Sequence, residues 1–169
     1  MYRGRALTLK VMTLEARGRA LEIEIVEHRG AAVVMPLLNA SHVVLVRQRR
    51  HTIGEELLEF PAGTIEPGER PEECAARELE EETGYRASSL ELLASFYASP
   101  GYSTEVLYAF LATGLARTEA RPEADEEISV EIVPLKELVE MVRSNVIKDA
   151  KTIATLALYL LKQGKGLTI

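Results

Sequence analysis

The chain has 169 residues, a formal net charge of −6 and a pI near 5.2, with 47% hydrophobic and 27% charged residues. That is one domain's length with enough apolar residues for an ordinary core, and the acidic balance argues against nonspecific nucleic-acid binding, which needs a basic surface. No apolar run reaches the roughly 18 residues of a membrane span, MYRGRALTLK has no signal-peptide core and Cys74 has no second cysteine to pair with, so a soluble, cytoplasmic domain is expected.

Residues 5–12 and 20–27 alternate as strands, with Leu7, Leu9 and Val11 on one face of the first and Leu21, Ile23 and Ile25 on one face of the second, joined around Gly18. They predict an N-terminal antiparallel hairpin, residues 1–28, ahead of a core. Residues 31–37 and 43–46 are continuously apolar, as central strands are, with a turn at 39–41, and 57–60 leads into a loop. Further strands are predicted at 90–97, 106–112 and 129–133, and helices at 134–143 and 149–162, the last with Asp149 as N-cap and Gly164 as stop. The pattern is α/β, a mixed sheet between helices, with no internal repeat and no linker to a second domain.

Between these halves lies the acid-rich segment 63–85, GTIEPGERPEECAARELEEETGY. Gly63, Pro67 and Gly68 are turn formers, and Pro71 is favourable in a first helical turn, where its missing N–H is not needed. Glu72 and Glu73 complement the helix macrodipole, and Gly84 suits a left-handed C-terminal cap, so a helix is predicted over 71–83. On it Glu78 and Glu82 stand four apart and share a face, flanked by Glu81, while Ala75 and Leu79 lie on a packing stripe. Like charges at this spacing cost an isolated helix a few tenths of a kcal/mol each, a cost that a bound cation offsets. Hard carboxylate donors suit Mg²⁺ or Mn²⁺ together with substrate phosphates, and disfavour zinc. Cys74, one turn before Glu78, reads as packing.

Gly63, Glu69, Arg77-Glu78-Leu79, Glu81-Glu82 and Gly84 together resemble the signature of the Nudix hydrolases, with Tyr85 where that family usually carries an aliphatic residue. The resemblance implies a Nudix-type α/β/α sandwich with a mixed β-sheet over residues 29–169. It also implies that Glu78 and Glu82 are the principal metal ligands, that Glu81 is a further ligand, that the backbone carbonyl of Ala62 joins them, and that Glu69 and Arg77 orient the carboxylates. Two or more Mg²⁺ ions, with Mn²⁺ as a substitute, are expected.

Pro100 in Ser99-Pro100-Gly101, the VRQRR at 46–50, the EFPAG at 59–63, the DAKT at 149–152 and the N-terminal strands look like the ADP-ribose pyrophosphatase branch of that family. This implies Mg²⁺-dependent hydrolysis of ADP-ribose to AMP and ribose 5-phosphate by a homodimer, the hairpin of one subunit helping to build its partner's site. Arg47, Arg49 and Arg50 are either strand-end surface charges or forks for phosphate and ribose oxygens, with Arg49 the preferred candidate. Glu59, Pro100, Tyr102 and Glu105 complete the expected substrate contacts. The general base is expected in the acidic loop PEADEEISV, with Glu126 the best candidate and Glu123, Asp125 and Glu127 its rivals. Another nucleoside diphosphate derivative as substrate stays open, as does a noncatalytic ADP-ribose sensor, against which the intact Glu78, Glu81 and Glu82 argue.

Overall fold

The N-terminal alternation produces the strands it implies, but it does not bring their apolar stripes together. In a computed structural model, which describes residues 1–4, 7–121 and 127–164, Tyr2–Arg3 (β1), Leu7–Ala16 (β2) and Arg19–His28 (β3) form a three-stranded antiparallel sheet. The hairpin turns through Arg17 and Gly18, both at positive φ (53° and 70°), the two-residue geometry that matches strand twist. Register pairs Leu9 with Val26 and Val11 with Glu24, and on the other face Met12 with Ile23 and Leu14 with Leu21. Each face therefore carries apolar side chains, and neither is covered: Val11 is 59% exposed and Leu21 48%.

The end of β3 is tied to the loop after residue 98: Val26 donates to the Tyr102 carbonyl at 2.7 Å and Thr104 donates back to Val26 at 3.0 Å. The chain then enters Ala31–Asn39 (β4) and His42–Arg50 (β5), whose apolar runs are buried on both faces. The connecting turn is held by Asn39 Oδ1, which accepts the backbone N–H groups of Ser41 and His42. Glu55–Glu59 (β6) pairs with β5. Ala62–Thr64 (β7) pairs antiparallel with β4, so Gly63, expected in a loop, is in a strand: ladder bonds to β4 override its turn preference.

After the acidic helix Pro71–Thr83 (α1), the chain runs through Gly84 directly into Tyr85–Tyr97 (β8), and Val106–Arg117 (β9) returns alongside. Both strands are longer than their apolar cores predict, because pairing from Tyr85↔Arg117 inward carries the polar stretch 86–89 into the sheet. Ile128–Pro134 (β10) pairs with β5, and Leu135–Arg143 (α2) and Ala150–Lys162 (α3) follow. The seven-stranded sheet has the order β10-β5-β4-β9-β8, with β6 on β5 and β7 on β4. It is mixed, since β4 and β9 run parallel and the other pairs antiparallel.

Strand alternation sorts the core into two layers. Ala32, Val34, Val44, Phe110 and Ala112 face α1, whose Cys74, Ala75 and Leu79 pack on them. Val33, Met35, Val43, Leu45, Ala109 and Leu111 face the other way, onto Leu138 of α2 and Leu156 and Tyr159 of α3. The result is the α/β/α sandwich with mixed sheet and N-terminal hairpin that the sequence implies. Among the described residues no helix is long and apolar enough to cross a membrane.

Candidate active site

Helix α1 begins where Glu73 accepts the backbone N–H of Arg70 at 2.9 Å, and ends at Gly84 (φ 67°), whose N–H reaches the Glu80 carbonyl. Between these ends the packing of Cys74, Ala75 and Leu79 sets the helix's rotation. That rotation places Glu78 and Glu82 at the margin of the buried stripe, 8% and 3% exposed, and leaves the Glu81 side chain 39% exposed.

Arg77 organises these acids. Its Nε and Nη2 form a fork on Glu69, at 2.8 and 3.1 Å, and Nη1 donates to Glu78 Oε1 at 2.6 Å and Glu81 Oε2 at 3.1 Å. Nη2 also reaches the Thr64 carbonyl, and Glu69 Oε2 closes its own loop by accepting the N–H of Glu66. The hydrogen bonds that Arg77 donates to Glu69, then the charge of Glu78 and the bonds to Glu78 and Glu81, hold the guanidinium far above its ordinary pKa, and the Arg77 fork in turn holds Glu69 below the usual carboxylate range. Fixed geometry for three acids on one arginine is the role the signature implies for Glu69 and Arg77.

The Glu78 carboxylate is seated against β7. A Cβ on Gly63 would lie 1.8 Å from Glu78 Oε1 and 2.1 Å from its Cδ, so no side chain fits at this position while Glu78 keeps its place. Ala62, whose carbonyl is a candidate ligand, precedes Gly63 in the same strand. Cys74 lies behind the carboxylates with its thiol on the Gly63 carbonyl. Burial, reinforced by the Glu78 charge, pushes its pKa up to about 12, which leaves no thiolate for chemistry at neutral pH.

A second, buried polar cluster adjoins this one. Arg50 forks onto Glu59, Nε to Oε1 at 2.8 Å and Nη2 to Oε2 at 2.7 Å. Lys151 Nζ donates to Glu59 Oε2 at 3.3 Å and to Asp149 Oδ1 at 2.5 Å. Asp149 caps α3 by accepting the N–H and hydroxyl of Thr152, whose Oγ1 accepts the N–H of Phe60 at 2.8 Å. The Glu59 fork, with the charges of Glu59, Glu82 and Asp149 behind it, raises the Arg50 pKa. Burial alone would raise Asp149, but the Lys151 charge and the Lys151 and Thr152 hydrogen bonds outweigh it and hold Asp149 low.

The structure thus separates the three strand-end arginines. Arg47 is paired with Glu131 at 2.6 Å. Arg49, the preferred candidate, is exposed, and its side chain has no ion pair among the described residues; its N–H donates to the Glu127 carbonyl at 3.3 Å. Arg50 shares the Val44 face of β5 and is the one turned toward α1. Glu59 lies within the cluster rather than at its surface, its side chain 1% exposed. Pro100 and Tyr102 are exposed on the loop that holds β3, and Glu105 stands 3.6 Å from His28 Nδ1. Glu105, Phe96, Leu107, Asp149 and Lys151 line a cleft of about 430 Å³. Glu126, Glu123 and Asp125 lie outside the described residues, and Glu127 is described and exposed. Lys151 enters the sequence reading only as part of DAKT at 149–152, without a role of its own; a second signal is the pair of charges, Asp149 and Lys151, at the start of a largely apolar helix.

A family model for the NUDIX domain matches residues 27–156. The chain belongs to the NUDIX family. It is 39% identical over 155 residues to an ADP-ribose pyrophosphatase of Bacillus subtilis (strain 168), covering 90% of this chain and 84% of that protein. It is 36% identical over 156 residues to a methanol dehydrogenase activator of Bacillus methanolicus, with the same coverage. A crystal structure of an ADP compounds hydrolase superposes with a TM-score of 0.83 at 25% identity, over 98% of this chain and 92% of that one.

NUDIX hydrolases generally use divalent metal ions, and the donor set here fits one, since the carboxylates of the NUDIX helix and the backbone carbonyls of β7 are hard oxygens. Among the described residues no three acidic, histidine or cysteine side chains form a ready-made metal cage, and the Glu78 and Glu81 carboxylates are engaged by Arg77. An ion that keeps several waters needs only a few protein carboxylates. The Arg77 hub carries its own prediction. Arg77→Gln removes the guanidinium from three partly buried carboxylates, and should lower stability at pH 7 by about 1–3 kcal/mol. Because the folded Glu69 pKa lies below its unfolded value, this stabilisation is present above about pH 4.5 and is lost as pH falls through the folded value. Urea unfolding of both proteins should therefore converge at acid pH; an equal gap at pH 7 and pH 3 would remove Arg77 from this role.

Proposed function

We propose that this protein hydrolyses the pyrophosphate bond of ADP-ribose, releasing AMP and ribose 5-phosphate, with Mg²⁺ or, in its place, Mn²⁺. The observation that carries the reading is the placement of Glu78, Glu81 and Glu82 on one helix, with Arg77 binding Glu78 and Glu81 and the charge of Glu82 acting on the Arg50 fork. The names of the relatives support the substrate, and the cleft beside Lys151 and Glu105 has room for part of a nucleotide.

Glu78, Glu82, Glu81 and the Ala62 carbonyl would hold two or more ions, which neutralise the diphosphate and polarise the attacking water. The remaining work falls to the chain. Arg77 and Glu69 keep the carboxylates in register. Arg50 uses two nitrogens on Glu59 and offers the third to a phosphate oxygen. The water's oxygen bonds to phosphorus as the bridging P–O bond breaks, and its proton passes to the acidic loop, where Glu126 remains the preferred base with Glu127 its described neighbour. Pro100, Tyr102 and Glu105 bound the far end of the substrate, with Arg47 and Arg49 on the β5 face opposite Arg50.

The uncovered apolar faces of the hairpin support a homodimer built through residues 1–28, and a cytoplasmic setting fits the substrate. The test is hydrolysis of a panel of ADP-ribose, nucleotide sugars, dinucleoside polyphosphates and oxidised dGTP with and without Mg²⁺, on protein whose mass is measured by light scattering. ADP-ribose should have the highest kcat/KM, only with metal, at dimer mass. Preference for another member would discard the substrate, and a monomer would discard the shared site.

A further inference from the structure

Glu59 cannot reach a substrate: its side chain is 1% exposed and both oxygens are taken, Oε1 by Arg50 and Oε2 by Arg50 and Lys151. A carboxylate buried this way is costly to desolvate, and removing one partner of such a cluster leaves the others uncompensated. Sealing a core does not require it. The cluster is closed at Glu59 but open at its cations. Arg50 is 33% exposed with no partner for Nη1 among the described residues, and Lys151 is 24% exposed at the rim of the cleft that Asp149 and Glu105 line. Formal charges cancel, with Arg50 and Lys151 against Glu59 and Asp149. The members come from the end of β5, the end of β6 and the start of α3, so Glu59 is the atom group that sets where two cations from distant segments stand relative to each other.

We infer that Glu59 is a positioning residue for this site: without touching substrate, it sets the aim of the Arg50 fork and through it the affinity for an anionic diphosphate. The inference rests on the reading above that Arg50 meets the diphosphate. A carboxylate is what the place requires, because Arg50 presents two parallel N–H groups to it and Lys151 a third donor. A glutamine there would turn one acceptor into a donor facing Lys151 and Arg50.

The test is steady-state kinetics with ADP-ribose and Mg²⁺ on the full chain for wild type, E59Q, E59D, R50M and the double variant E59Q/R50M, with thermal unfolding run on each. E59Q should raise KM roughly tenfold or more, in the range seen when the outer partner of an oriented group is removed, with kcat changed much less. The double variant should have the KM of R50M, since two changes acting through one group do not multiply. E59D keeps the charge balance but shortens the anchor, and should give an intermediate KM; it decides the matter if E59Q does not fold. A wild-type KM in either folded Glu59 variant overturns the inference, as does a double variant whose KM is the product of the two single effects. R50M with a wild-type KM would overturn both the inference and the Arg50 contact it rests on, whereas wild-type protein that turns over only a different diphosphate discards ADP-ribose, and the same series on that diphosphate then decides Glu59.

Discussion

Replacing Glu82 by glutamine is expected to lower kcat by roughly 10²–10⁴-fold, because a bound ion contributes several kcal/mol of transition-state charge stabilisation and each 1.36 kcal/mol is a factor of ten. Glu82 is 3% exposed on α1, four residues from Glu78, with the Arg50 charge nearby. Glutamine has the same shape, so the helix and its packing should persist and the unfolding midpoint should move little. What the variant lacks is an anionic oxygen for a hard cation, which Mg²⁺ binds in preference to an amide. The rate should recover in part at high Mg²⁺ concentration, since weakened ion binding is driven by mass action. A titration of activity against Mg²⁺ for both proteins is the measurement. A glutamine variant with the wild-type rate and metal dependence would remove Glu82 from the ligand set.

Gly63→Ala should be nearly as damaging, although it adds a single methyl group outside the acidic helix. The new Cβ would stand 1.8 Å from Glu78 Oε1, far inside contact distance, so the carboxylate must move by more than an ångström. Displacements of that size cost about 10²-fold in reactions that depend on positioning. The backbone has little room to yield, because Gly63 is paired with Ala32 in the middle of β7 and the Ile65 N–H is held by the Gly30 carbonyl. Overpacking at such a place costs about 1–3 kcal/mol. Both a slower rate and a lower midpoint of unfolding are therefore expected, with the rate the larger effect. An alanine variant with near wild-type kcat would show that Glu78 has another productive rotamer and that its seat on Gly63 is dispensable.

The acidic helix is the part most legible in the sequence. Its ends were marked by local chemistry, Pro71 at the first turn and Gly84 in the left-handed cap, and the observed helix, Pro71–Thr83, has those bounds. Glu78, Glu81 and Glu82 follow from helical spacing alone, and Arg77 with Glu69 from the resemblance that the family match bears out. The central strands were equally plain, since only a strand covered on both faces carries runs such as 31–35. Strand ends were less so. The polar stretch 86–89 has no strand pattern of its own and is drawn into β8 by its partner β9.

The arginines show where sequence stops. Successive residues of a strand point to opposite faces, so Arg49 and Arg50 have opposite fates, and the choice between them depends on which face α1 covers. That is fixed by the packing of Val44 and Val34 under Leu79, not by anything local to residues 46–50. The same holds for Glu59 and Lys151, 92 positions apart, which meet only because α3 crosses the sheet with its N-terminus at the end of β6. The sequence by itself determined the helix, its acids and the sheet's central strands, because capping, periodicity and burial are short-range effects. The seat of Glu78 on Gly63, the turning of Arg50 toward α1 and the Glu59 cluster were decided by tertiary structure, because each depends on which faces of separate elements are pressed together.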